Sequence, residues 1–164
     1  MGTVAWQVHF PASGVSGADL YALDESVTPS VWKYVGTRQN MQSGTAQSGT
    51  VAINLPTDKL TSYRLYLPTY NTVIDGAIGV PAGSTIGLDT RPGFKQPAVV
   101  WYGTSILQGG VASRVGNAFT NMISRRLQQE IYNFGFSGNG KMEVGVYEHL
   151  AKLDAALIII DCNV

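Results

Sequence analysis

Three stretches decide the fold: AVVWYGTS at 98–105, EIYNFGFSG at 130–138 and ALIIID at 156–161. Each is an apolar run, and the text between them changes period. Phe119, Met122, Ile123 and Leu127 fall at i, i+3, i+4 and i+8, the stripe of a helix that buries one face. Met142, Val146, Leu150 and Leu153 mark a second such helix. Strand, helix, strand, helix, strand predicts a parallel sheet, because parallel neighbours are joined by a crossover that returns over the sheet's face. Leu157 to Ile160 is apolar on both faces, which predicts a strand covered on both sides and lying centrally. The sequence stops four residues later, so the expectation is a truncated domain whose further strands and helices belong to a longer chain.

Upstream the pattern is different. Residues 4–80 read as short alternating segments divided by turn residues, the period-two signature of half-buried antiparallel strands. Val4, Trp6, Val8 and Phe10 share one face, and further strands are expected at 20–25, 31–36, 50–55, 62–67 and 77–80. Strands at this spacing suggest a small β-sandwich. The Gly- and Pro-rich residues 83–97 read as a linker. The expected organisation is therefore multidomain, β followed by α/β: an antiparallel β-sandwich over 1–90, then three parallel strands and two helices of a flavodoxin-like domain over 91–164.

Composition narrows the function. Of the 164 residues, 45% are hydrophobic and 13% charged, which suits a packed core and disfavours disorder. Eleven basic and eleven acidic residues cancel, with no basic run longer than Arg125-Arg126, so neither nucleic acid nor an anionic membrane is an expected partner. One cysteine, Cys162, excludes internal disulfides, and two histidines offer little to a metal centre, so neither a metal nor a cofactor is expected. The start MGTVAWQVHF lacks the basic and apolar regions of a signal peptide, no apolar run is long enough to span a bilayer, and Trp6 spoils a myristoylation motif. Compartment stays open, with the cytoplasm as default.

Two glycine loops carry candidate chemistry. Ser105 in Gly103-Thr104-Ser105 follows the first parallel strand, where open α/β sheets place their ligand sites. It reads as an exposed nucleophile or as a turn or capping serine; Leu107 rules out a Gly-x-Ser-x-Gly elbow. Residues 135–142 satisfy Gly-x-x-x-x-Gly-Lys, yet Met142 stands where a nucleotide loop needs Ser or Thr to hold Mg²⁺. In the competing reading, parallel topology brings the Gly138 N–H beside Ser105, where it would serve as an oxyanion donor.

Gly103-Thr104-Ser105 with Gly109-Gly110, then Asn133-x-Gly135-x-Ser137-Gly138, resemble the first two blocks of the SGNH (GDSL-type) esterase and lipase family. Gly17-Ala18-Asp19-Leu20-Tyr21 is similar to the motif naming the GxDLY β-sandwich that precedes the hydrolase domain in one branch, and Arg64 to Pro68 and Ile78 to Val80 fit that branch. The resemblance implies a serine esterase acting through an acyl-enzyme on a small-molecule or carbohydrate ester, acetylated carbohydrate being favoured. It implies Ser105 as nucleophile, the N–H groups of Ser105 and Gly138 as oxyanion donors, and Asn163 as the candidate for a further donor. The family's Asp-x-x-His, source of base and acid, does not occur in this sequence, and Thr104 replaces the usual Asp.

The missing base matters, because an unassisted serine hydroxyl is a weak nucleophile. His9 reads as solvent-facing on the first strand and His149 as helix edge; neither convinces as a substitute. Arg114 is a candidate for binding a substrate carboxylate, weighed against an ordinary structural ion pair. Glu143 reads as complementing a helix N-terminus, Cys162 as a small buried hydrophobe, and Asp161 as a loop-fixing group. Two alternatives stay beside the esterase: a catalytically inactive fragment or binding module, and a nucleotide-binding loop at 135–142.

Overall fold

The structure is a computed structural model and describes residues 9–38, 61–73, 75–89 and 94–162. A single helical turn, α1 (Ala12–Val15), leads into three antiparallel strands, β1 (Ala18–Asp24), β2 (Val31–Arg38) and β3 (Tyr63–Tyr66), in the order β2-β1-β3. Alternation along β1 turns Asp19 and Tyr21 inward, both buried. Tyr21 meets Tyr34 and Tyr66 edge-on, with centroids 5.7 and 5.5 Å apart, the arrangement that the ring quadrupole favours. The strand expected at 50–55, and residues 4–8 of the first one, lie outside the described residues. AIGV at 77–80 is not a strand, contrary to its pattern. Residues 75–89 hold no helix or strand, and Ile78 and Leu88 are 65% and 95% exposed. Four alternating residues make a strand only where a neighbour accepts their ladder, and none of the described residues does.

The second unit runs β4 (Lys95–Gly103), α2 (Ser105–Gln108), a 3-10 turn (Val115–Asn117), α3 (Phe119–Leu127), β5 (Gln129–Gly135), α4 (Val144–Leu150) and β6 (Ala155–Asp161). Its sheet is parallel in the order β5-β4-β6, the first part of a flavodoxin-like order. The expected linker yields its last three residues to β4, whose ladder slips between Lys95 and Val99, across Pro97, which has no N–H to donate.

In the described sheet β4 is the middle strand, because it accepts both ladders. β6 is an edge of the described sheet, with Leu157, Ile158 and Ile160 exposed. Register sets Gly103 opposite Gly135 on one side and Asp161 on the other, so three strands end together. On one face Val100 and Tyr102 pack with Leu150 of α4, and Cys162 lies half-buried beside them. On the other, Trp101 meets Phe119 of α3 edge-on at 5.1 Å.

The two units meet on the carboxylate of Asp19, which is fully buried. One oxygen accepts Arg114 Nη1 at 2.7 Å and the Gly116 N–H at 2.8 Å; the other accepts the Thr37 hydroxyl at 2.6 Å. Arg114 also donates to the Tyr21 hydroxyl at 2.7 Å. Partial burial alone would lower the Arg114 pKa, but the bonds to Tyr21 and Asp19 outweigh it and raise it. A Cβ at Gly116 would sit 2.6 Å from the Asp19 carboxylate. Among the described residues, no helix is long and apolar enough to cross a membrane.

Candidate active site

Past Gly103 the chain turns through extended Thr104 into α2, with Ser105 its first residue. Leu107, fully buried, roots this single turn, and Gly109, at φ 102°, ends it in the left-handed region. The Ser105 carbonyl accepts the Gly110 N–H at 2.9 Å and the Tyr70 hydroxyl at 3.1 Å. Its own hydroxyl has no hydrogen-bond partner among the described residues.

Asn133 clamps α2 to the sheet. Its Nδ2 donates to the Leu107 carbonyl at 2.8 Å and to Thr120 Oγ1 at 3.0 Å, while its Oδ1 accepts the Gly135 N–H at 2.9 Å. Gly135 lets the backbones close: a Cβ there would lie 2.1 Å from the Gln108 nitrogen. From this clamp the loop returns to β4, with the Phe136 N–H on the Gly103 carbonyl at 2.9 Å and the Ser137 N–H on Gln108 Oε1 at 2.7 Å. Gly138 follows at φ 75° with open space around it, so its backbone, not crowding, requires glycine. No described residue accepts its N–H. The Ser105 turn and the Gly138 loop thus share the carboxyl end of the sheet with their donors unspent, an arrangement that can receive a developing negative charge.

A phosphate cradle needs a different loop. Here the N–H groups of Asn139, Lys141 and Met142 go to the Phe136 carbonyl, to Glu143 Oε2 and to the Tyr102 hydroxyl. With those of Phe136 and Ser137 also taken, and a carboxylate at the mouth of α4, the loop keeps the Gly138 N–H free but not the converging set of donors that a phosphate cradle needs. Glu143 accepts the Tyr102 hydroxyl in a very short bond. That bond, followed by backbone donors, holds its carboxyl below the usual range. Burial, then the Glu143 partner, pushes the Tyr102 phenol up.

Other candidates fall elsewhere. Arg114 spends its guanidinium on Asp19 and Tyr21 and stands over the Tyr34 ring. Asn163 lies outside the described residues. His9 is exposed and edge-on to Phe10 at 5.2 Å; His149 is exposed on α4, against Phe134 at 6.1 Å. No group of three or more His, Cys, Asp or Glu among the described residues could hold a metal ion. The sequence reading passed over Tyr70 and Gln108, which touch the site from two sides and belong to no motif. An open cleft of about 240 Å³ lies between the units, lined by Pro68, Thr69, Gln108, Asn121, Asn133 and Gly135.

Residues 96–163 match the GDSL-like Lipase/Acylhydrolase family, and residues 3–86 match GxDLY, the N-terminus of SGNH-hydrolase-type esterases. The crystal structure of a candidate GDSL-like lipase from Bacteroides ovatus is similar at 34% identity and a TM-score of 0.85. The alignment takes in 98% of this chain but 45% of that one, so the chain spans under half of its relative's length. No protein of curated function matches the chain.

Proposed function

The chain belongs to the SGNH-type, GDSL-like esterases through its GxDLY N-terminus, and from that premise we propose that it supplies the nucleophile and two oxyanion donors of a serine ester hydrolase. The observation that carries this reading is the pair of unspent groups past the ends of β4 and β5: the Ser105 hydroxyl and the Gly138 N–H, on elements tied together through Gly103 and Gln108.

In the proposed reaction Ser105 Oγ forms a bond to the acyl carbon while the carbonyl π pair moves onto oxygen. The N–H groups of Ser105 and Gly138 donate to that oxyanion, each such donor contributing about 3–4 kcal/mol to the barrier difference. Collapse breaks the ester C–O bond, and the departing alcohol takes the proton that Ser105 lost. Water then adds to the acyl-enzyme, releases the carboxylic acid and restores the hydroxyl. The sequence holds no Asp-x-x-His, so this reading draws base and acid from outside these 164 residues. A small-molecule or carbohydrate carboxylic ester is the proposed substrate class.

The test compares the protein at its full natural length with its Ser105→Ala variant, each treated with a fluorophosphonate and weighed intact. The expected result is one adduct on the parent, none on S105A, and equal melting temperatures, since Ser105 Oγ bonds to no described residue. Equal labelling of both, or binding of an ester without Ser105-dependent turnover, would defeat the esterase reading in favour of a binding module.

A further inference from the structure

The Gly138 loop is anchored on β4 at Phe136, whose N–H bonds to the Gly103 carbonyl, and next to Gly138 the Ser137 N–H bonds to Gln108 Oε1. That amide is fixed in its turn, because Gln108 Nε2 donates to the Thr69 carbonyl at 3.1 Å. The Ser105 turn, clamped by Asn133, also takes a contact from the first unit. A four-residue helix closes too few hydrogen bonds to hold itself, and the Ser105 carbonyl is pinned by Gly110 and by Tyr70. Tyr70 stands on Phe10, edge-on at 5.1 Å. Burial pushes this phenol up, so at neutral pH it keeps the proton it donates to Ser105. Thr69 and Tyr70, which follow β3 of the first unit, therefore grip both halves of a site built by the second.

We propose that Tyr70 and Gln108 are positioning residues, through which the β unit fixes the spacing between the Ser105 turn and the Gly138 N–H. The proposal rests on the roles given to Ser105 and Gly138 above. Neither side chain touches the reacting atoms. Both act on where the nucleophile and the donor stand, and a displacement of about 1 Å in such a site costs up to a hundredfold in rate.

The experiment measures kcat and KM for p-nitrophenyl acetate, with melting temperatures, on the full-length parent, Tyr70→Phe, Gln108→Leu and Ser105→Ala. Tyr70→Phe keeps the ring on Phe10 and removes one hydroxyl. In both positioning variants kcat is expected to fall about ten- to a hundredfold with KM little changed, because the loss is felt in the transition state. Unchanged kcat in Y70F and Q108L, with a Ser105-dependent parent, would overturn the positioning role and leave the esterase reading standing. Parallel loss of kcat, substrate affinity and melting temperature would also overturn it, marking the two residues as holding the fold alone. A parent no more active than S105A would bring down the esterase reading, and this inference with it.

Discussion

The two signature motifs put similar residues to opposite uses. In Gly17-Ala-Asp-Leu-Tyr21 every polar atom of Asp19 is consumed: the carboxylate is fully buried and bound by Arg114, Gly116 and Thr37. In the Ser105 turn and the Gly138 loop the hydroxyl and the N–H are left without described partners, while the residues around them make the bonds. Buried charge with full pairing is a structural commitment, since removing one partner strands the other. Unpaired donors beside a glycine keep their bonding capacity open. A motif's part in the molecule is therefore read from what its polar atoms hold, more than from its name.

The contrast can be broken first at the clasp. Asp19→Ala is expected to cost about 3–5 kcal/mol in urea unfolding, the usual loss when a buried ion pair is halved. Arg114→Met made together with it should cost clearly less than the sum of the two single changes. A loss below about 1 kcal/mol for D19A would put Asp19 among ordinary surface charges.

A smaller effect separates the two glycines of the second motif. Gly135→Ala forces a Cβ to 2.1 Å from the Gln108 backbone and is expected to destabilise by about 2–3 kcal/mol. Gly138→Ala meets open space and carries only left-handed strain, about 1–2 kcal/mol. Thermal melts of both variants decide it; the reverse order would mean that the Asn133 clamp does not hold α2 against β5.

The smallest effect is in acid. A carboxyl held below its ordinary value lends stability above that value and loses it as pH falls through the lowered one. For Glu143 the ordinary value is 4.5, and the Tyr102 hydroxyl is the main cause of the lowering. The melting temperatures of the parent and Tyr102→Phe should therefore converge as pH drops below about 4.5, apart from a constant offset for the Met142 N–H that loses its acceptor. A gap that stays constant would remove Glu143 from the acid response.

Much of the second unit was legible because its periods are strong. Phe119, Met122, Ile123 and Leu127 announced α3, and the apolar runs announced β4, β5 and β6. In β6 two-sided hydrophobicity says that a strand is covered, not which neighbour takes its ladder; in the described sheet that neighbour is β4. AIGV failed because four residues carry the pattern of a strand without a partner among the described residues. Ser105 and Gly138 could be singled out since glycine and serine at strand ends leave a local signature. Arg114 could not be placed, because its partner lies 95 residues away and nothing in Ala-Ser-Arg points to it. Tyr70 and Gln108 were invisible for the same reason: each works on backbone atoms 29 or more residues distant.

The clasp on Asp19 also bears on how these units could be moved between proteins. The first unit's central strand carries a buried negative charge whose cation and backbone donor lie at 114 and 116, beyond any boundary drawn near residue 90. A graft cut there would import the anion without the cation and the backbone donor that pair with it. The smallest portable cassette therefore reaches past Gly116, carrying with it the Ser105 turn. In this architecture the unit of recombination is the joint, since its ion pair spans both halves.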